Sequence, residues 1–166
     1  MRTPHSQQAL TRSTEEIKLI LKSHGIRFEL IETLPVFTCR QAARAREVPL
    51  HNELKTLLVV YEGKIALLNL PGDRRINRRR VRVALATHSF GLANHEEMAT
   101  LKVTRGTISP LSLTGCRSLL DMEVLTLDWI TTNAGNLTLG IKLRVQELLA
   151  ICKFEVVDIS TSLEAG

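Results

Sequence analysis

A lysine opens the apolar run Leu54-Lys55-Thr56-Leu57-Leu58-Val59-Val60. At the mouth of a buried strand its ammonium could hold a phosphate or carboxylate as a point charge. The pattern equally suits an edge lysine whose stem lies on apolar surface and whose head stays in water. Six arginines fall within nine residues, Arg74-Arg75-Ile76-Asn77-Arg78-Arg79-Arg80-Val81-Arg82. Such a run can track a nucleic-acid backbone without reading its sequence, and a solvated helix face carries the same residues. Gly106-Thr107-Ile108-Ser109-Pro110 places a glycine and a proline four apart. That loop can turn backbone amides and carbonyls toward a ligand, or merely connect two elements. Asn133-Ala134-Gly135-Asn136 reads as a turn between strands, because Asn and Gly tolerate positive φ.

The familiar catalytic sets are missing. The histidines have no metal-ligand spacing, and there is no nucleophile elbow, phosphate-binding loop or dinucleotide fingerprint. Cys39, Cys116 and Cys152 lie far apart, which predicts buried thiols in a reducing compartment rather than disulfides or zinc. No metal and no organic cofactor is expected.

Composition narrows the classes further. The 166 residues fit one domain, and 44% apolar with 23% charged residues is a globular balance. The net charge of +5 suits phosphate contact. Aromatics are only 4%, which argues against a platform stacking many bases. No apolar run approaches the ~18–20 residues of a membrane span, and the polar N-terminus lacks the apolar core of a signal peptide. A cytoplasmic protein is expected.

The elements that must position these residues can be sketched. Residues 1–12 read as a flexible tail and 13–160 as a single domain. Ser13-Thr14-Glu15-Glu16 is a capping box opening a helix that Gly25 stops. Residues 27–31 alternate as a half-buried strand. Thr38-Cys39-Arg40-Gln41 opens a second helix, ended by Pro49. Residues 54–61 and 64–70 form a hairpin about Glu62-Gly63. Asn77 caps a basic helix over 78–86, and Asn94 caps another over 94–101. Residues 104–114 look irregular. Strands are predicted at 118–120, 129–132 and 137–142, a helix at 143–152 and an edge strand at 154–157. Interleaved helices and strands give an α/β or α+β single domain with a mixed β-sheet.

In this order the pieces resemble the YbaK/aminoacyl-tRNA deacylase family, which includes the editing domain inserted in bacterial prolyl-tRNA synthetases. The resemblance runs over about residues 15–151. It is carried by HGIRFELIETLPVFTCRQAA at 24–43, LKTLLVV at 54–60 and LPGDRRIN at 70–77. GTISP at 106–110, LLD at 119–121 and NAGN at 133–136 follow. The resemblance implies a mixed sheet, partly barrel-like and surrounded by helices. It implies hydrolysis of the ester of mischarged tRNA, typically Cys or Ala on tRNA for proline, by a positioned water. Carried over, Lys55 matches the family's functional lysine, near the 3′-terminal adenosine and its phosphate. Gly106 and Pro110 match the Gly-x-x-x-Pro loop whose backbone faces the ester. Thr56, Ser109, Asp121, Asn133 and Gly135 fall at pocket positions.

An activated ester needs a shaped pocket more than a strong nucleophile, which fits the missing triad. The implied partners are the acceptor stem and mischarged 3′ end of tRNA, and prolyl-tRNA synthetase. Arg74, Arg75, Arg78, Arg79, Arg80 and Arg82 could then track the tRNA backbone. Two positions depart from the family pattern. Lys102 stands where the family loop carries an earlier glycine, and Asn133 stands where the YbaK subgroup has serine. A non-catalytic tRNA-binding or amino-acid-sensing module on the same fold is the competing expectation.

Overall fold

The structure, a computed structural model, describes residues 9–163. The chain runs β1 (Leu10–Thr11), α1 (Thr14–Ser23), β2 (Phe28–Glu32), α2 (Cys39–Ala45), β3 (Leu54–Tyr61), β4 (Lys64–Pro71), β5 (Arg74–Ile76) and α3 (Arg78–Leu85). It continues through β6 (Gly91–Leu92), α4 (His95–Thr100), β7 (Leu113–Thr114), β8 (Arg117–Asp121), β9 (Trp129–Asn136), β10 (Leu139–Arg144), α5 (Val145–Ile151), β11 (Glu155–Val157) and β12 (Ser160–Ser162).

Five strands form the larger sheet in the order β11-β8-β4-β3-β6, and three form a second in the order β2-β10-β9. β4–β8 and β8–β11 are parallel while the β3–β4 hairpin is antiparallel, so the larger sheet is mixed. Glu62 (φ +49°) and Gly63 (φ +73°) turn that hairpin, with positive φ at both turn positions. The two sheets meet at a parallel bridge between Glu53 and Thr131 and do not close into a barrel. The short pairs β1–β7 and β5–β12 complete the architecture. β1 lies inside the stretch expected as a tail, whose first eight residues fall outside the described ones.

Strand alternation divides the interior. Leu58 faces one cluster with Leu67, Val103 and Leu113; Val59 faces another with Leu68, Val81, Leu85 and Phe90 under α3. The second sheet packs Ile130 and Ile141 on Ile17 and Leu21 of α1 and Leu148 of α5.

Helix ends follow side-chain chemistry. Ser13 and Thr38 accept from the amides of Glu16 and Gln41. The Gln41 side chain returns the bond to its cap, whereas Glu16 takes the Ser13 hydroxyl instead. Gly25 (φ +66°) stops α1 as its position predicts. α2 ends at Ala45, and Glu47, in the left-handed region at φ +56°, turns the chain away before Pro49 is reached.

Residues 133–136 are not a turn. They end β9, and the reversal comes at Leu137-Thr138. Asn133 pairs with Gly140 and Asn136 with Leu139, so Ala134 and Gly135 are extra residues in a bulge. The turn chemistry of Asn and Gly is used inside the strand: Gly135 sits at φ +84° and its amide donates to Asn133 Oδ1 at 2.9 Å.

Candidate functional site

Lys55 on β3, Gly106 and Ile108 of the loop after α4, and Asn133 of the β9 bulge line one cavity of about 560 Å³. That volume falls in the range of small-ligand sites, roughly 300–1,000 Å³. Thr56 lines it too, and so do Cys39, His95 and Arg105. Three segments far apart in sequence therefore share one wall system.

Each wall is held by specific bonds. The Lys55 ammonium donates to the carbonyl of Arg74 on β5. Burial lowers its pKa, opposed by the nearby Cys39 and Asp73. Thr56 Oγ1 donates to Asn69 Oδ1 at 2.8 Å, and Asn69 Nδ2 donates to Ser118 Oγ and the Leu119 carbonyl, each at 2.9 Å. Asn133 Nδ2 donates to the Ile108 carbonyl at 2.8 Å, fastening the bulge to the loop.

The loop itself is tightly specified. Gly106 has φ +92°, and a Cβ there would lie 2.7 Å from Leu137 Cδ2 and 3.1 Å from the Val36 carbonyl. Only glycine fits both the dihedral and the space. The Thr107 amide is spent on the Thr104 carbonyl at 3.1 Å. Ser109 and Ser112 are both buried and cap each other: the Ser109 amide donates to Ser112 Oγ at 2.8 Å, and the Ser112 amide donates to Ser109 Oγ at 3.0 Å.

Ser109, Pro110, Asp121 and Gly135 lie outside the cavity lining. Ser109 and Gly135 shape its walls from behind. Pro110 is buried, and its carbonyl accepts from Cys152 Sγ at 3.7 Å. Asp121 ends β8, fully buried; it accepts from the Ile159 amide at 3.0 Å and from the Ser160 hydroxyl. Ser160 Oγ in turn accepts from Arg74 Nε at 2.6 Å. A chain thus runs from Asp121 through Ser160 and Arg74 to the carbonyl that holds Lys55.

The six arginines divide. Arg74 is committed to this chain and reaches Glu123 at 4.0 Å. Arg75 is exposed on β5. Arg80 pairs with Asp158 at 3.0 Å, and Arg78 donates to the Phe90 carbonyl at 2.8 Å while its guanidinium lies 4.4 Å from the ring centroid. Arg79 and Arg82 sit one turn apart on α3, with Arg79 exposed and Arg82 half-buried.

Sequence reasoning missed the cavity floor. Arg46 and Glu53 form a buried ion pair, and Thr131 donates to the other Glu53 oxygen. Burial pushes the Glu53 carboxyl up, and Arg46 and Thr131 pull it down. The Arg46 guanidinium lies against Gly140, where any Cβ would collide with it, and its Nε has no partner among the described residues. A polar Glu immediately before an apolar strand was the available signal. The cysteines are half-buried rather than buried, and burial pushes the Cys39 thiol up to about 12. Burial thus disfavours its thiolate, the nucleophilic form.

Known proteins resemble this chain in sequence and in fold. A sequence model of the aminoacyl-tRNA editing domain matches residues 33–151. The proline--tRNA ligase of Halalkalibacterium halodurans is 32% identical over 94 residues, which is 56% of this chain and 16% of the ligase. The chain therefore matches only a small part of that relative's length. A solved protein provisionally described as a trans-editing enzyme for prolyl tRNA synthetase shares the fold at TM-score 0.79 and 21% identity, over 92% of this chain and 99% of the other. A provisionally described signal transduction protein from Marinobacter aquaeolei VT8 shares it at TM-score 0.64 and 10% identity, over 87% of this chain and 31% of that one.

Proposed function

Because this chain belongs to the aminoacyl-tRNA editing domain family, we propose that it is a free-standing deacylase that hydrolyses the ester of mischarged tRNA. The observation that carries the reading is the convergence of Lys55, the Gly106–Ile108 backbone and Asn133 on a cavity without a strong nucleophile. A water attacks the ester carbonyl carbon. Among the described residues the amides of Gly106 and Ile108 have no acceptor, so both can donate to the developing oxyanion. The ribose oxygen leaves and takes a proton, the neighbouring hydroxyl relaying it. The products are an amino-acid carboxylate and tRNA with a free 3′ end. The Lys55 ammonium holds the phosphate of the terminal adenosine. No catalytic metal enters the scheme, and the reaction is placed in the cytoplasm.

The substrate we favour is Cys- or Ala-charged tRNA for proline, with prolyl-tRNA synthetase as the enzyme whose errors are corrected. A panel of Cys-, Ala-, Ser- and Thr-charged tRNAs tests this. Hydrolysis well above buffer for one or two members supports it. No hydrolysis of any member overturns the enzymatic reading. One observation favours a binding module instead: both ends of the Asn133 amide are occupied, and no hydroxyl stands there to shuttle a proton. Salt-sensitive tRNA binding without turnover would establish that alternative.

A further inference from the structure

All six aromatic side chains lie within the described residues, and Phe37 is the one that is more than a third exposed. It shows 51% of its surface and lines the same cavity as Lys55 and Gly106. Folding gives little reason for an aromatic there. Phe37 immediately precedes the Thr38 cap of α2, where an apolar residue commonly packs onto the first helical turn. Half of its surface nevertheless stays in water. Its amide is bound to Gln41 Oε1 at 3.0 Å, which fixes the backbone of the segment. The loop side is close: a Cβ on Gly106 would lie 3.6 Å from the Phe37 Cα. Leu92, 61% exposed, also lines the cavity, so its rim is apolar while Lys55 supplies a cation within.

We propose that Phe37 is the base-stacking residue of this site, taking the adenine of the 3′-terminal nucleotide on its ring. This rests on the deacylase reading and deepens it. The charged 3′ end of a tRNA offers three chemically distinct groups, a base, a phosphate and an ester. The cavity offers a matching group for each: an exposed ring for the base, an ammonium for the phosphate, and a backbone loop for the ester. One exposed aromatic is also what a protein needs that inspects a single terminal base rather than a run of them.

The test compares two ester substrates of the same amino acid, aminoacyl-adenosine and the aminoacyl ester of a simple alcohol. Phe37→Ala should raise KM for aminoacyl-adenosine roughly tenfold or more, the worth of one base–aromatic stack, and leave the base-free ester unchanged. Phe37→Trp should keep the wild-type KM, and its indole fluorescence should be quenched by adenosine. Equal losses on both substrates would mean that Phe37 only shapes the loop, and no loss on either would also overturn the proposal. If the wild-type chain hydrolyses neither ester nor charged tRNA, the deacylase reading itself fails; quenching of the Trp variant by adenosine then still decides for or against the stack.

Discussion

Asn133 on β9 and Ile108 in the loop after α4, 25 residues apart, are joined by a side-chain amide donating to a main-chain carbonyl at 2.8 Å. The same amide accepts from Gly135 at 2.9 Å. One side chain therefore sets both the strand bulge and the loop that faces the cavity. Asn133→Ala should cost about 1–3 kcal/mol, two ordinary hydrogen bonds, read as a lower denaturant midpoint at unchanged slope. Deacylation should fall with it. Asn133→Ser, too short to span both partners, should recover little of the stability; full recovery would show that the bridge contributes nothing.

Lys102 stands where the family resemblance implies a glycine, and its backbone lies in the left-handed region. It adopts φ +56°, its amide donates to the Ala99 carbonyl at 3.0 Å, and the Val103 amide donates to Met98 at 3.0 Å. This is the left-handed stop of a helix, where glycine is favoured because no Cβ crowds the next carbonyl. Lys102→Gly should therefore stabilise the protein by about 1 kcal/mol, measured by denaturant unfolding. A destabilised variant would show that the lysine side chain has a packing role.

Glu53→Gln should be among the most damaging single changes at the cavity floor. It leaves the Arg46 guanidinium buried without its countercharge, a loss of about 3–5 kcal/mol. Replacing both residues by apolar ones should cost less than Glu53→Gln alone. A double variant worse than the single one would contradict this account of the pair.

Burial holds Lys55 below its ordinary 10.5, so its ammonium gives up its proton at lower pH than an exposed lysine. Affinity for adenosine 5′-monophosphate should be full below that shifted pKa and lost as pH rises through it. Titration calorimetry against pH checks this, and Lys55→Arg should remove the alkaline loss. A wild-type affinity that stays level past the ordinary lysine range would contradict it.

The arginines should separate by function. Arg79→Gln and Arg82→Gln should each reduce the salt slope of tRNA binding by about 1 while leaving the melting temperature in place. Arg74→Gln should instead destabilise, because it removes the guanidinium that ties Ser160 and Asp121 to the strand whose Arg74 carbonyl holds the Lys55 ammonium. Filter binding at several salt concentrations distinguishes the two groups.

Helix caps at Ser13, Thr38, Asn77 and Asn94 were legible because each is a local side-chain bond within four residues. The hairpin at Glu62-Gly63 was legible for the same reason. The strands β1, β5, β7 and β12, of two or three residues, were not; their pairing is settled by partners up to 104 residues away, as between Leu10 and Thr114. At the site, Lys55, Thr56, Gly106 and Asn133 were legible and meet in one cavity. The supporting roles of Ser109 and Asp121 were not, because a buried hydroxyl or carboxylate that ties loops together leaves no periodic trace in sequence. Glu53 before an apolar strand was a signal, but its pairing with Arg46 was not legible for a similar reason: it is completed by Thr131, 78 residues beyond Glu53.

The central claim is that Lys55 and the Gly106 loop form a hydrolytic site for a charged tRNA end. Single-turnover hydrolysis of Ala- and Cys-charged tRNA for proline, by the wild-type chain and by Lys55→Ala, tests it most directly. The account predicts hydrolysis by the wild type and a loss of roughly 10- to 100-fold in the variant, the worth of one charge-assisted hydrogen bond. Equal rates for the two proteins, or no hydrolysis by either, would contradict it.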